Sequence, residues 1–342
     1  MSKGTKPLIL AADAGGTKTN LALVPALGKG RIGSPESLES YRSADFPSLE
    51  AMIDAFQKRH PAPLAGVTIG FAGAVTGGRG VGTHVPWVAD ERALARHLGL
   101  PRAHVINDLV AAGFGVPALS PRDLVPILPG VPDPEGNAAI VSAGTGLGET
   151  TLLRRDGELW PVASEGGHAD FAARTDLEIE VLRALRARFG RVSVERVLSG
   201  IGLANLALVI HEIDGAAAAM AEHEREATAL EPAELPAVIS NHALAGACSS
   251  CGRALEAMVS IYGAEAGNAA LRGMATAGVY LGGGIPPRIL PALTGSAFRD
   301  AFLAKEPHRA LVEKIPVWVV TNEHLSVLGA ARYATLAGAC PP

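Results

Sequence analysis

The residues most able to do chemistry stand near the start of the chain. Asp13 ends an apolar run (Leu8-Ile-Leu-Ala-Ala), Gly15, Gly16 and Thr17 follow, and a second apolar run spans Leu21 to Val24. The order reads as strand, tight turn, strand. Glycine lacks a Cβ, so backbone N–H groups can approach an anion closely. An acidic side chain beside such a nest makes sense if a divalent cation sits between it and a phosphate. The chemistry implied is binding of a nucleoside triphosphate and movement of its last phosphoryl group. Asn107-Asp108, Glu165 with His168, and Glu195 are further polar candidates. Taken singly, the first pair reads as a helix cap, the second as a solvated surface pair and the third as a helix-surface charge.

The glycine turn is not isolated. Ala138–Ala143 reads as a buried strand, Gly144-Thr145-Gly146-Leu147-Gly148 as a turn and Thr150–Leu153 as the next strand. The two strand–turn–strand units suggest a structural duplication without sequence repeat. Alone, Gly-Gly-Thr is an ordinary hairpin turn. No G-x-x-x-x-G-K-[ST] loop occurs. The Gly144 turn leads into Glu149-Thr-Thr-Leu-Leu, a β-favouring run, where a dinucleotide fingerprint needs a helix. Phosphate contacts would therefore come from β-turn amides and threonine hydroxyls. A third run, Gly282-Gly283-Gly284, follows a strand and precedes a helix, and its bare backbone would let an adenine or ribose lie flat against it. A nucleotide between turns on separate domains is clamped when the domains close, which excludes water from the transfer.

The elements that must position these residues are legible in outline. Ser48–Lys58 has helical periodicity, with Leu49, Met52, Ile53 and Phe56 on one face. Ala65–Phe71 reads as a buried strand and Asp90–Leu98 as a helix stopped at Gly99. Val105-Ile106 is a short strand, and Asn107-Asp108 opens a helix. The proline-rich stretch from Pro117 to Pro134 is the expected domain crossover, giving domains of 1–117 plus 324–342 and 118–323. Helices dominate from Asp176 to Ala277, broken near Ser199-Gly-Ile-Gly202. Gly278–Leu281 and Pro316–Thr321 read as strands and Val327–Leu336 as a terminal helix.

Composition bounds the class. A chain of 342 residues, 48% hydrophobic and 19% charged, can bury two ordinary domain cores, and its 40 glycines suit an α/β enzyme. A net charge of −4 gives no pull toward nucleic acid or anionic membrane. No apolar stretch is long enough for a membrane span, and the polar start reads as lacking a signal peptide. Three cysteines, Cys248, Cys251 and Cys340, make no disulfide framework and suit a reducing cytoplasm. Cys248-Ser-Ser-Cys251 has C-x-x-C spacing, but no second pair and no nearby His completes a zinc site in the sequence. Helix packing, with redox sensitivity as a lesser role, is the expectation.

Together these segments resemble the bacterial glucokinase family of ATP-dependent hexose kinases, almost end to end. The resemblance is carried by Asp13-Ala-Gly-Gly-Thr17, Ile106-Asn-Asp108, Ala143-Gly-Thr-Gly-Leu-Gly148, Glu165-Gly-Gly-His-Ala-Asp170, Val192-Ser-Val-Glu-Arg-Val-Leu-Ser-Gly200 and Gly282-Gly-Gly-Ile285. It implies a two-domain actin-like (ribonuclease H-like) α/β fold with a cleft between the domains. It also implies ATP-dependent phosphorylation of glucose at the 6-hydroxyl, with Mg²⁺, in a cytoplasmic homodimer. Asp108 would be the catalytic base, with Asn107, Glu165, His168 and Glu195 on the sugar. Asp13 would orient Mg²⁺ through water. Gly15, Gly16, Thr17, Gly144, Thr145 and Gly146 would line the phosphates, and Gly282, Gly283 and Gly284 the nucleoside.

Some positions depart from the family. Ala74 stands where relatives usually carry proline, His84 where asparagine is common, and Lys18 where asparagine is frequent. The segment Asp214–Pro236, rich in Ala and Glu, reads as a helical excursion without a role. A broader hexokinase acting on mannose, fructose or glucosamine is the alternative within the class. A sugar-sensing transcription regulator would need a helix-turn-helix ahead of the first strand, and only 12 residues precede Asp13. An actin-like chaperone ATPase would not need the five polar residues assigned to the sugar.

Overall fold

The computed structural model describes residues 7–82, 87–230 and 234–338. His84 and Cys340 lie outside the described residues. The chain divides into two compact units, Met1–Arg122 with Leu159–Ala163 and Asn322–Pro342, and Asp123–Glu158 with Ser164–Thr321. The first crossing falls inside the proline-rich stretch.

The first unit is built on a five-stranded sheet. Its strands are β1 (Leu8–Ala14), β2 (Lys18–Pro25), β3 (Ser37–Arg42), β4 (Leu64–Phe71) and β8 (His104–Asn107), in the order β3-β2-β1-β4-β8. β1 pairs antiparallel with β2 and parallel with β4, and β4 pairs parallel with β8. A small second sheet holds β5 (Ala74–Thr76), β6 (Arg79–Val81) and β7 (Ala89–Asp90). The helices are α1 (Leu49–Arg59), α2 (Glu91–Leu98), α3 (Asp108–Gly115) and, at the C-terminal end, α13 (Leu325–Leu336).

The two-residue period of β1 sorts its side chains between two cores. Leu10, Ala12 and Ala14 join Leu49, Met52, Ile53 and Phe56 of α1, the face read from the sequence. Ile9 and Ala11 join Ala111 of α3 and Val327, Ala330, Ala331 and Ala334 of α13. A sheet covered on both faces reads as near-continuous apolar runs, as β1 and β4 do. The second core is lined by alanine because α3 and α13 lie very close together. A Cβ on Gly329 would stand 1.6 Å from the Ala111 carbonyl oxygen, and one on Gly70 would stand 2.9 Å from the Ala111 Cβ. These approaches fix the head of α3, and with it Asp108.

The second unit repeats the plan. Its six-stranded sheet holds β9 (Leu124–Leu128), β10 (Ala138–Ala143), β11 (Leu147–Arg155), β13 (Gly278–Gly282) and β14 (Val317–Val320), with β12 (Glu158–Pro161), whose residues from Leu159 on are counted with the first unit, as an edge strand, in the order β12-β11-β10-β13-β14-β9. β10 pairs antiparallel with β11 and parallel with β13, and β13 pairs parallel with β14. Apart from the edge strand β9, this is the strand order of the first sheet, so the duplication inferred from the two glycine turns is a duplication of topology. The helices are α4 (Asp176–Phe189), α5 (Gly200–Ile213), α6 (Ala217–Leu230), α7 (Leu235–Leu244), α8 (Ser249–Gly273) and the shorter α9 (Ile285–Arg288), α10 (Leu290–Leu293), α11 (Ser296–Leu303) and α12 (Arg309–Val312). α8 is the core helix, and its Tyr262 hydroxyl donates to the Val141 carbonyl of β10 at 2.8 Å. No helix among the described residues is long and apolar enough to cross a membrane.

Strands β3, β5, β6, β7, β9 and β12 have no counterpart in the sequence reading. In β3 (Ser-Leu-Glu-Ser-Tyr-Arg) only Tyr41 is buried. An edge strand with one solvated side lacks the apolar signature that marked β1, β4 and β10.

Substituting Gly329→Ala should lower the melting temperature and reduce turnover together, because a methyl group cannot enter without parting α13 from α3. Overpacking of this kind costs about 1–3 kcal/mol. A thermal melt indistinguishable from wild type would show that the two helices can separate freely.

Candidate active site

β1 and β2 meet at residues 15–17 in a hairpin closed by the Gly15 N–H donating to the Lys18 carbonyl at 3.1 Å. A Cβ on Gly15 would stand 2.9 Å from that same oxygen. Ser43, beside β3, donates through its hydroxyl to the Gly15 carbonyl at 2.6 Å and lies 2.9 Å from the Thr19 hydroxyl. The turn is thus both a hairpin and a fixed loop, with Gly16 partly and Thr17 fully open to solvent.

Asp13 sits directly across from Asn20 in the β1–β2 register. Its carboxyl group is pushed up from the usual 3.8 to about 6, first by burial and then by the nearby charge of Asp108. A hydrogen bond from Asn20 and the charge of Lys18 pull the other way. Asn20 is held in turn by the Ser40 hydroxyl, which donates to its Oδ1 at 2.6 Å. The sequence reading missed Asn20, and its position in β2, directly opposite Asp13 in a hairpin, was the available clue. Two nearby carboxylates, the charge of Asp108 raising the proton affinity of Asp13, form an oxygen donor pair suited to a hard divalent cation. The residues present therefore fit Mg²⁺.

Asn107 and Asp108 divide their labour. Asn107 is the N-cap of α3, with Oδ1 accepting from the N–H groups of Leu109 at 2.9 Å and Val110 at 3.1 Å. Its Nδ2 donates to the Gly73 carbonyl at 3.3 Å. Asp108 follows in the first turn, where a carboxylate is favoured by the helix dipole. The Gly73 loop is tied down by pairing of Ala74, Val75 and Thr76 with Val81, Gly80 and Arg79.

In the second unit, Glu165 and His168 flank one turn of 3₁₀ helix, Gly166–His168. Both are exposed. The glycines between them are demanded by contact with β11. A Cβ on Gly167 would stand 2.0 Å from the Leu147 carbonyl oxygen, and one on Gly166 would stand 2.9 Å from Glu149 Oε2. Glu149 is buried there, and burial followed by the charge of Glu265 pushes its carboxyl group up, against the opposing charge of Arg272. Glu195 belongs to a single 3₁₀ turn, Val194–Arg196, which corrects the expectation of an α-helix at that position. Its Oε2 accepts from the Leu147 N–H at 2.9 Å, and its Oε1 lies 3.8 Å from His168 Nδ1. Glu195, His168 and the end of the glycine turn thus form one connected group. One oxygen of Glu195 is spent on the backbone, a role that sequence did not disclose.

The second glycine turn joins β10 to β11. The Gly144 N–H donates to the Gly146 carbonyl at 2.9 Å, and the Gly144 carbonyl accepts from the Gly200 N–H, at the start of α5, at 2.8 Å. A cavity of about 580 Å³ opens here, lined by Gly144, Thr145, Gly284 and Arg288 and by the first turns of α5 and α7. Of the three glycines predicted for a nucleoside, Gly284 lines this cavity. Gly283, with φ 87°, turns the chain so closely that a Cβ would stand 2.2 Å from the Ala143 carbonyl oxygen, and Gly282 packs over Ser142. Ile201, Asn205, Leu235 and Pro236, all in the lining, carried no sequence signal because apolar residues at helix starts look like core.

Two sheets of one topology, each with a glycine turn after its first strand and one with an acidic pair beside that turn, define a kinase of the two-domain actin-like fold. The glucokinase family model matches residues 10–337. A glucokinase from Nostoc punctiforme is 36% identical over 337 residues, covering 96% of this chain and 98% of the relative. One from Marinobacter nauticus is 38% identical over 324 residues, covering 94% and 96%. The crystal structure of a glucokinase from an Antarctic psychrotroph superposes with a TM-score of 0.83 at 30% identity, covering 96% of this chain and 99% of that one. The chain belongs to the glucokinase family.

The raised Asp13 pKa makes a signed prediction for the ligand-free protein. A carboxyl group with a higher pKa in the folded state contributes stability that is complete below its unfolded value, about 3.8, and is lost as pH rises through about 6. Asp13→Asn removes that loss. Its melting temperature relative to wild type should therefore climb between pH 4 and pH 8. A difference that stays flat with pH would show that Asp13 ionises without penalty.

Proposed function

We propose that the protein transfers the terminal phosphoryl group of ATP to the 6-hydroxyl of D-glucose, giving glucose 6-phosphate and ADP. Membership of the glucokinase family supports the sugar. The observation that carries the chemistry is the electrostatic coupling of Asp108 to Asp13 beside the Gly15–Thr17 turn.

In this reading Asp108 is the base. A carboxylate is too weak a base to strip a sugar alcohol in the ground state. It accepts the proton as the new oxygen–phosphorus bond forms, a contribution typically of about 10²- to 10⁴-fold. Asn107, by capping α3, fixes where Asp108 points. In the first unit Asn107 and Asp108 offer hydrogen-bonding groups to sugar hydroxyls; in the second unit Glu165, His168 and Glu195 do. Each sugar hydroxyl is both donor and acceptor, so a carboxylate–imidazole set gives it a direction as well as affinity. Glu195 serves through one oxygen only, the other being bound to Leu147.

In the first unit the turn Gly15, Gly16 and Thr17 is a phosphate loop whose Gly16 and Thr17 amides would meet phosphate oxygens, the Gly15 N–H being bound to Lys18. In the second unit the turn Gly144, Thr145 and Gly146 is another, its Gly144 N–H being bound to Gly146, and the cavity beside Gly284 takes the adenosine. Asp13 would hold Mg²⁺ through water, and the ion would supply positive charge that eases the repulsion between Asp13 and Asp108. The transition state of phosphoryl transfer is loose, so positioning supplies most of the acceleration. The family resemblance extends the proposal to a homodimer acting in the cytoplasm, a mass that light scattering would read directly.

Asp108→Ala should cut kcat by at least about 10²-fold, as expected for loss of a general base, while leaving binding of Mg-ATP intact. A loss smaller than about tenfold would remove Asp108 from that role. Glu165→Gln should raise the KM for glucose with little change in the KM for ATP, and an unchanged glucose KM would place Glu165 off the sugar. Turnover compared across glucose, mannose, fructose and glucosamine tests the substrate itself: equal kcat/KM on mannose would replace glucose specificity with the broader hexokinase activity.

A further inference from the structure

The C-x-x-C pair is not alone in space. Cys248 is the N-cap of α8 and Cys251 lies in its first turn. His211, near the end of α5, and His223, in the middle of α6, come to the same point. One ligand atom from each of the four residues lies within 4.8 Å of the other three. No histidine completes a site with this pair along the sequence, and the fold brings two to it.

The geometry is that of a closed tetrahedral centre. Zn–S bonds of about 2.3 Å and Zn–N bonds of about 2.0 Å put sulfur and nitrogen about 3.6 Å apart along the tetrahedron's edges. Here His211 Nε2 lies 3.5 Å from Cys248 Sγ and 3.8 Å from Cys251 Sγ, and His223 Nε2 lies 3.3 Å from Cys251 Sγ. The second ring nitrogen of His211, Nδ1, is 2.7 Å from the Ala207 carbonyl, one turn back in α5. A carbonyl only accepts, so Nδ1 carries the proton and Nε2 is left with a free lone pair aimed at both sulfurs. Metal-binding histidines are oriented by outer contacts of this kind. The Cys251 N–H donates to Cys248 Sγ at 3.1 Å, which holds that sulfur at the head of α8. His211, His223 and Cys251 are buried, and the ring of His242 packs 4.5 Å from that of His223.

We propose that His211, His223, Cys248 and Cys251 bind a structural Zn²⁺ ion. Thiolates with imidazoles in a tetrahedral arrangement select zinc over the hard cations. All four positions are filled by protein, so no site is left for a substrate. Binding displaces two thiol protons, which pass to solvent. His211 stands about 16 Å along α5 from Gly200, eleven residues at 1.5 Å each, so the ion lies well away from the glycine turn. Its role is to clamp α6 against α5 and α8, beside the existing tie of Asp214 to Ser250 at 2.7 Å and to Arg253. This gives the segment 214–236 a function, because that segment leads into the Glu234–Ala237 wall of the cavity at Gly144.

The test is metal content of the full-length protein, purified with reductant and zinc and then passed over a chelating resin. Wild type should retain about one zinc per chain. Replacement by Co²⁺ should give the visible bands of a tetrahedral ion and a thiolate-to-cobalt charge-transfer band. Cys251→Ser and His223→Gln should each lower retained zinc at least tenfold, and stripping the wild type with a strong chelator should lower its melting temperature. Wild-type protein that emerges without zinc, or a cobalt spectrum lacking the thiolate band, overturns the proposal whether or not the variants fold. So does retention of the full zinc complement by a Cys248→Ser/Cys251→Ser double variant. These readouts involve neither sugar nor ATP, so they stand or fall separately from the kinase reading.

Discussion

Two carboxylates, one near the end of β1 and one at the head of α3, create the constraint around which the first unit is arranged. Asp13 closes β1 and Asp108 opens α3 directly after β8, and the charge of one raises the proton affinity of the other. Water would normally screen such repulsion. The partial burial of Asp13 prevents that, and the ligand-free protein keeps the cost as a standing bias toward a cation or a proton. Asn20 and Lys18 lessen the cost without removing it. The near-contact of α3 with α13 through Gly329 and of α3 with β4 through Gly70 keeps Asp108 from moving away. A site that stores repulsion needs a scaffold that does not yield, and the alanine-lined core beneath α3 supplies one.

The second unit solves a different problem with the same topology. Its first hairpin carries no acidic pair. Instead, its turn is braced from outside, by Glu195 on the Leu147 N–H and by the Gly200 N–H on the Gly144 carbonyl. The Glu165–His168 turn is pressed onto β11 through two glycines that leave no room for a side chain. The phosphate turn and the sugar loop proposed for this unit therefore share a backbone strand. A shift in one carries to the other through Leu147, whose N–H and carbonyl face the two groups.

The helical layer of the second unit shows how local sequence and spatial neighbourhood part company. α5, α6 and α8 are ordinary amphipathic or buried helices when read one at a time. The end of α5, the middle of α6 and the head of α8 converge on two sulfurs and two imidazoles. Nothing in the 24 residues between His223 and Cys248 announces this, since the intervening α7 and its connections only set the path by which α8 returns. The excursion that looked dispensable is the part that delivers His223.

Local order along the chain was enough to reveal the glycine turns, the strands β1, β4, β10 and β13, the buried face of α1 and the cap at Asn107. Each of these rests on spacing of two or 3.6 residues, or on backbone conformations that few residue types accept, and such constraints act between near neighbours. The same order sufficed to place the chain in its family, because the motifs are themselves short local units. Tertiary structure alone decided that Glu195 spends one oxygen on Leu147 and that His211 and His223 meet Cys248 and Cys251. It also decided which strands form the sheet edges. Those outcomes depend on how far elements travel before they pack, and contact energies between distant residues leave no periodic trace in the residues that make them.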